Sequence, residues 1–397
     1  MNSALMPWYR GLLAGGTAAV VVTGAAQTQD RPLIGETRTN LAPAFVSWRF
    51  AEPLIQDSLS VRRITQLVLP VSFAMSIGRW TIDVGGAVAR GRVGLADGRN
   101  LDLNGVTDVR ARAVGRIIGD HLLLTLGAAA PTGTTRLAGR QIDALRILGS
   151  PALGLPTPTL GAGSSVTAGL VYARRVGAWA VAAGGSFETR GSYSPIEAQI
   201  AGVARPTDLD PGSTTRFSLG ADRVVGSGRV AVLVATDRFG EDDIRVTTAA
   251  GPVEARYRLG PQYSIGAIID LGVAGLRSAR ITVLDRYRAR HTGVDGMSAA
   301  GSNGNRFETS LEVTTGAPGR TGLLARLDGR LDSGLTIDNT ITTAAMTGGG
   351  LTLGAIVPVG RATLQPYLRA QLGRVDTGPT VTTATGFGAG LTFTVTR

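Results

Sequence analysis

Residues 305–333 read NRFETSLEVTTGAPGRTGLLARLDGRLDS, and polar and apolar side chains alternate through both halves of this stretch. One face of the first half carries Arg306, Glu308, Ser310, Glu312 and Thr314. The other face carries Phe307, Thr309, Leu311 and Val313. Residues 316–319, Gly-Ala-Pro-Gly, cannot continue a strand and predict a tight turn. Because a two-residue period is that of a two-faced strand, the stretch predicts a β-hairpin with one charged face and one apolar face.

The same alternation of polar and apolar residues recurs along most of the chain. Short connections and long connections follow one another in strict order between these runs. Short turns are predicted at residues 77–79, 118–120, 176–177, 226–228, 271–276, 316–319 and 358–360. The seven hairpins with these turns, together with a first and a last strand, give sixteen strands. Fourteen is the alternative, because the first strand at residues 45–50 is weak and is flanked by Pro43 and Pro53, which restrict it to an edge or rim.

This pattern favours an all-β fold, a transmembrane antiparallel β-barrel with its apolar faces toward lipid and its charged faces around water. Hydrocarbon cannot satisfy an open sheet edge, so the strands must close on themselves. Short turns lie in the periplasm and long loops outside the cell in such barrels. A soluble β-sandwich or propeller is the alternative, and it would need a compact core from a chain with 5% aromatic residues. Asp285 conflicts with the predicted register, because it shares the apolar face with Val283 and Tyr287.

The chain divides into three parts by composition. Residues 1–26 have the charged start, apolar centre and small-residue end of a signal peptide. Residues 27–43 are polar and unpatterned, and they predict a periplasmic N-terminal tail or, alternatively, a small plug. Residues 44–397 form the barrel. No later run of about 18 uncharged apolar residues predicts a membrane helix, so we expect the bacterial outer membrane as the location.

Composition excludes several other functions. The chain has no cysteine, so thiolate metal sites and disulfides are excluded, and its two histidines, His121 and His291, leave little for catalysis. The net charge is +11, but the basic residues, all of them arginine, are spaced singly rather than clustered, which argues against nucleic acid. We expect no enzyme activity, cofactor or metal. A lipid hydrolase using Ser and His is the enzymatic alternative, although neither histidine has a serine motif nearby.

The arginines on the polar faces are the candidate functional residues. The predicted lumen-lining residues are Arg110, Arg112, Arg256, Arg258, Arg280, Arg286, Arg288, Arg326, Arg330, Arg369, Glu308, Glu312 and Asp328. A sixteen-strand barrel is too wide to fill with its own side chains. The arginines could therefore favour anions in a pore, or they could simply pair with carboxylates across strands.

Three short motifs between residues 105 and 164 carry a resemblance. Residues 105–110 read GVTDVR, residues 130–133 read APTG, and residues 160–164 read LGAGS. The order G-x-x-D, P-T-G, L-G-x-G resembles the outer-membrane family named for the meta-pathway of phenol degradation. That family is similar to channels for fatty acids and aromatic hydrocarbons. The resemblance implies passive uptake of small hydrophobic or aromatic compounds.

Together these features predict an outer-membrane channel for passive uptake of small hydrophobic, aromatic or anionic compounds. The alternative is a structural or adhesive barrel whose extracellular loops bind partners. The expected partners are outer-membrane lipid, a small-molecule solute and the barrel-insertion machinery. The last strand, ending in GLTFTVTR, resembles the C-terminal signal that this machinery reads, although members usually end on an aromatic residue.

Overall fold

A computed structural model describes residues 37–56, 59–119, 121–137, 139–148, 155, 160–200, 203–248, 251–293, 303–317, 319–335, 344–378 and 380–396. The signal peptide predicted at residues 1–26 and the first part of the 27–43 segment lie outside these ranges. The tail-or-plug prediction for residues 27–43 stays a prediction. The described end of that segment, residues 37–41, is a strand paired within the sheet.

The described residues form twenty-three strands and one helix. In chain order the first strands are β1 (Thr37–Leu41), β2 (Ala44–Gln56), β3 (Leu59–Ile77), β4 (Trp80–Leu95), β5 (Asn100–Val106), β6 (Val109–Ile118) and β7 (Leu122–Ala130). The helix α1 (Arg140–Leu148) precedes β8 (Ser165–Val176), β9 (Trp179–Arg190), β10 (Tyr193–Ile200), β11 (Val203–Asp210), β12 (Thr214–Val225) and β13 (Gly228–Phe239). The remainder are β14 (Glu241–Thr248), β15 (Gly251–Arg258), β16 (Gln262–Leu271), β17 (Ser278–Arg288), β18 (Thr292–Gly293), β19 (Gly304–Thr314), β20 (Gly322–Leu335), β21 (Ala344–Val359), β22 (Ala362–Asp376) and β23 (Val381–Thr396).

Eighteen of these strands make one closed antiparallel sheet. Two positions in the wall are each occupied by two successive strands. β1 and β2 both lie between β23 and β3, and β5 and β6 both pair with β4. The wall is therefore a barrel of sixteen strands, as predicted. The weak first strand is confirmed as a wall strand, and Pro43 and Pro53 lie at its two irregularities, where no ladder N–H is required.

The seven predicted short turns are also confirmed, and all lie at one rim of the wall. Glycine takes a positive φ in several of them, including Gly177 and Gly360. The opposite rim carries the longer connections, and the wall there is uneven. It is tall at β3 and β4, with 19 and 16 residues, and low at β7 and β16, with 9 and 10 residues.

A five-stranded sheet stands beyond the low side of the wall and is called the extension below. It consists of β10, β11, β14, β15 and β18. The two-residue alternation that placed Arg256 and Arg258 in the lumen runs on through residue 270, but the strand is interrupted at residues 259–261, which include Gly260 and Pro261. Proline has no N–H for the ladder, so β15 ends in the extension and β16 starts again in the barrel wall.

The outer face of the wall is predominantly apolar around its circumference, with Asp285 of β17 as an exception. Side chains pointing outward include Leu67 (49% exposed), Leu219 (64%), Ile265 (52%), Leu327 (60%) and Leu353 (55%). Trp179 lies beside a short turn, whereas Tyr263 and Tyr287 face each other at the opposite end of the wall. A continuous exposed apolar belt with closed backbone pairing is stable in hydrocarbon and not in water. The wall is therefore that of a transmembrane β-barrel.

No helix of the described residues is long and apolar enough to cross a membrane.

Candidate functional site

The inner face of the wall carries a ladder of ion pairs between β16 and β22, called the charged arc below. At one end, Arg280 Nε lies 2.5 Å from Asp270 Oδ1. Arg286 Nη2 lies 2.5 Å from Glu308 Oε2 on the next strand. These side chains share the inner face because they alternate with the outward apolar residues of β17 and β19. The pairs lie beside one another along the lumen.

Two arginines in the charged arc lie directly opposite each other, Arg286 on β17 and Arg306 on β19. Like charges at paired positions repel. The repulsion is relieved because each arginine forms an ion pair with a carboxylate. Arg286 pairs with Glu308, and Arg306 Nε lies 2.6 Å from Asp332 Oδ1. Arg330 pairs with the same Asp332, so one buried carboxylate holds two guanidinium groups.

Further ion pairs extend the charged arc beyond β16 onto β13 and β12. On β12 and β13, Arg229 Nε donates to Asp222 Oδ2 at 2.7 Å, and Arg216 Nε lies 3.6 Å from Asp237. On β19 and β20, Glu312 and Arg326 occupy paired positions. The lumen is thus bounded over about half its circumference by arginines that outnumber the carboxylates among them.

Nine of the predicted lining residues come together in the charged arc. They are Arg280, Arg286, Arg288, Arg326, Arg330, Arg369, Glu308, Glu312 and Asp328. Arg110 and Arg112 share the inward face of β6, across the barrel in strand order, where Arg112 Nε donates to Asp83 Oδ2 at 2.9 Å. Arg256 and Arg258 belong to β15 in the extension instead of the wall, and they pair there with Asp243 and Glu241.

Sequence reasoning did not single out Asp332, Asp237, Arg216 or Arg229 as lining residues. The signal was present for Asp332, since it continues the two-residue period of Asp328 and Arg330 by one further step. The pairing of Asp332 with Arg306 depends on the register between β19 and β20, and this register places the two residues opposite each other.

The inner face on the other side of the barrel is apolar, and it is called the apolar arc below. It lies on the tall part of the wall, on β2 to β5, where Trp48, Ile64 and Val93 are at most 3% exposed. Helix α1 packs on it through Ala144, Ile147 and Leu148. The sequence of residues 134–162 has no strand alternation, and the spacing of Ile142, Leu145 and Leu148 within it is helical, in agreement with α1.

A glycine makes room for α1 on the apolar arc. A Cβ atom on Gly91 of β4 would lie 2.4 Å from Leu148 Cδ1, so any side chain there would force the Leu148 side chain to move. Gly91 shares the inward face with Ala89 and Val93. The helix therefore lies inside the barrel mouth, against the wall, and it narrows the lumen on the apolar side.

The joint between the wall and the extension is held by two buried polar side chains. His291 Nδ1 accepts a hydrogen bond from Gly260 N at 3.0 Å, and Asp242 Oδ1 accepts one from Gly212 N at 2.6 Å. Burial lowers the pKa of His291, and the nearby Arg288 lowers it further. Burial likewise raises the pKa of Tyr193 in the extension. His291 and Asp242 thus fix the base of the extension.

Known proteins match this chain in structure but not in sequence. No protein-family model matches the chain, and no curated protein matches its sequence. Solved structures that superpose include OccK1 (OpdK) of Pseudomonas aeruginosa, at 11% identity over 91% of this chain and 99% of that one, with a TM-score of 0.44. The monoaromatic hydrocarbon channel TodX gives 7% identity over 91% and 90%, with a TM-score of 0.43.

A bacterial polysaccharide outer-membrane secretin gives a likeness of the same size. Its identity is 8% over 90% of this chain and 97% of that one, with a TM-score of 0.44. Since a hydrocarbon channel and a polysaccharide secretin superpose about equally well, these likenesses do not distinguish between functions.

Proposed function

We propose that this protein is an outer-membrane channel for passive uptake of small compounds that combine an anionic group with an aromatic or other apolar body. The single observation that supports the proposal is the division of the inner wall into a charged arc and an apolar arc. Fixed guanidinium groups attract anions in a pore. An apolar surface on the other side offers contact to the rest of such a solute.

The charged arc suits the passage of anions because its arginines already form ion pairs with carboxylates. Arg280 and Arg286 are about one-quarter and one-sixth exposed at the side chain, at 26% and 17%. A solute anion would exchange with Asp270 or Glu308 and would not meet an isolated charge. Conduction requires binding that is favourable enough to enter and weak enough to leave.

The test is liposome swelling with benzoate, benzyl alcohol and glucose in parallel. The triple variant Arg280→Gln, Arg286→Gln, Arg330→Gln removes three cations from the charged arc and leaves Asp270 and Glu308 without theirs, so benzoate entry is expected to fall far more than benzyl alcohol entry. The matched control Arg245→Gln, Arg256→Gln, Arg258→Gln removes three ion-paired arginines from the extension and should leave all three rates unchanged. Equal loss of benzoate entry in both triple variants would contradict the proposal.

A second candidate is a barrel with an adhesive role, and the extension favours it. Five strands project beyond the wall and carry exposed ion pairs such as Arg245 with Glu254. Deleting residues 241–258 should abolish surface attachment if this role is correct, with swelling rates unchanged. Contact with the barrel-insertion machinery through β23 also stays a proposal.

A further inference from the structure

The wall position shared by β5 and β6 is interrupted at residues 107–108. A buried carboxylate lies at this interruption, and the proposed transport function does not use it. Asp108 follows β5, shares the inward face with Arg110 and Arg112, and is only 5% exposed. Its partners in the described structure are backbone N–H groups. Gly133 N donates to Oδ1 at 2.8 Å, and Ala162 N donates to Oδ2 at 2.6 Å.

These two donors lie at the two ends of the segment that contains α1, where it leaves the wall and where it returns. The two ends are called the bases of the segment below. They lie 25 and 54 residues from Asp108 along the chain, yet one carboxylate holds both. A charged acceptor binds N–H donors more strongly than a neutral one, and it does so most where water is excluded. Asp108 therefore fixes where the segment leaves the wall and where it returns.

Two threonines reinforce the same contact from the segment side. Thr132 Oγ1 accepts from Val109 N at 2.9 Å. Thr134 Oγ1 accepts from Val106 N at 3.1 Å, and Thr134 N donates to Val106 O at 2.9 Å. The backbone N–H groups of Val106 and Val109, on either side of the strand interruption, thus find their acceptors on the segment.

Glycines allow the two bases to touch. A Cβ on Gly133 would lie 2.6 Å from Gly161 Cα and 2.7 Å from Asp108 Oδ1. A Cβ on Gly105 would lie 2.1 Å from Thr134 Oγ1 and 2.9 Å from Leu160 Cδ1. The three short motifs of the sequence, at residues 105–110, 130–133 and 160–164, therefore form one contact, called the Asp108 clasp below.

We propose that Asp108 is a positioning residue that keeps α1 against the apolar arc and thereby sets the upper size of the solutes admitted. This rests on the proposed channel function. Ala144 and Leu148 of α1 are at most 1% exposed only while the helix stays against β4 and β5. Releasing both bases removes the fixed points on either side of the helix, so α1 gains freedom to leave the apolar arc.

The first test uses a reporter cysteine, which is specific because the chain has no cysteine of its own. Ala144→Cys is placed alone and together with Asp108→Asn or Asp108→Ala, and labelling by a water-soluble maleimide is followed in liposomes. With Asp108 intact, labelling should be slow, and both substitutions should raise its rate at least tenfold. The matched control is Asp102→Asn, which breaks only the exposed pair with Arg92. Unchanged labelling in both Asp108 variants would overturn the proposal.

A second variant guards against misfolding of the Asp108 variants, with heat-modifiable electrophoretic mobility as the check on the barrel. Gly133→Ala forces the two bases apart and leaves every charge in place, so it should raise labelling of Ala144→Cys as well. Gly94→Ala on β4 is the control, since its added Cβ meets nothing closer than 3.6 Å. Fast labelling with Gly133→Ala and slow labelling with Gly94→Ala support the clasp; equal rates contradict it.

The size limit is measured by swelling with a series of sugars and aromatic acids, without the reporter. Asp108→Asn should admit solutes that the wild type excludes, and an oxidised Gly91→Cys, Leu148→Cys pair should restore the limit because these positions adjoin. If the wild type passes no solute, the channel function fails while labelling still decides the clasp. If solutes pass and Asp108→Asn changes neither labelling nor the limit, the clasp fails and the channel function stands.

Discussion

Arg369 on β22 reaches Asp328 on β20 across the whole width of β21, with Nη2 2.6 Å from Oδ2. The strand between them contributes Gly350 at the paired position of Asp328, and a Cβ there would lie 3.0 Å from Arg369 Nη2 and 3.1 Å from Nε. The absence of a side chain on Gly350 therefore lets the guanidinium lie flat along the wall. Both charged side chains are at most 15% exposed.

Substituting Gly350→Val should displace Arg369 and break this pair. Because Asp328 would remain in the wall without its cation, we expect the free energy of unfolding to fall by about 1–3 kcal/mol. Urea unfolding in lipid vesicles measures it. The control is Gly329→Val on β20, where an added Cβ has only Thr309 Cγ2 near it, at 3.5 Å. An equal loss of stability in the two variants would mean that the glycine does not serve the ion pair.

The outer face should tolerate charge least near the middle of a strand. Leu327 is 60% exposed and lies between Leu311 and Leu351 on the neighbouring strands. We expect Leu327→Arg to lower the free energy of unfolding in vesicles by about 2–4 kcal/mol, the usual effect of a cation at the bilayer midplane. Ser310→Asn, on the inward face beside it, should change stability by less than about 0.5 kcal/mol.

Asp285 lies on the outer face of β17, between Ile265 and Phe307 on its neighbours, and its Oδ1 has no hydrogen-bond partner among the described residues. A carboxylate toward lipid costs stability, though less than a cation does. We therefore expect Asp285→Leu to raise the free energy of unfolding by about 1 kcal/mol. Urea unfolding in the same vesicles measures this, and a loss of stability would show that Asp285 has a favourable partner.

The joint between wall and extension should loosen in acid. The pKa of His291 is lowered from its ordinary value of 6.5, chiefly by burial, so as pH falls the opened chain takes up a proton before the closed one does. Stability of the joint is therefore complete above about pH 6.5 and declines as pH falls toward the lowered value. Protonation also removes the acceptor of the Gly260 N–H.

Hydrogen exchange at the backbone amides of residues 259–260 and 289–293 measures this opening between pH 5 and pH 8. We expect exchange, corrected for its intrinsic pH dependence, to accelerate below pH 6.5 in the wild type and to become independent of pH in His291→Gln. The control is His121→Gln, which changes the other histidine, next to a short turn on the opposite rim. Acceleration that persists in His291→Gln would contradict the assignment.

Strand periodicity predicted the barrel because every wall strand alternates between lipid and lumen, and glycine-rich turns marked each reversal. Even Asp285, which conflicted with the apolar face, did not alter the register, since the structure keeps it on that face. Side-chain periodicity could not show that Arg256 and Arg258 leave the wall. That outcome depends on the break at Pro261, and a two-residue period continues unchanged across such a break.

The site was predicted less completely than the wall, for a physical reason. Which carboxylate each arginine takes depends on cross-strand register, as with Arg306 and Asp332, and register is a property of two strands together. The Asp108 clasp joins residues up to 54 positions apart. Its motifs were visible as a resemblance, but their contact follows only from the fold.

If the charged inner faces enclose a conducting lumen while the apolar faces meet lipid, the protein should form pores in a planar bilayer. The reversal potential of single channels under a KCl gradient measures their selectivity. We expect discrete pores that prefer chloride to potassium, because arginines outnumber carboxylates in the charged arc. The absence of pores, or a preference for potassium, would contradict this expectation.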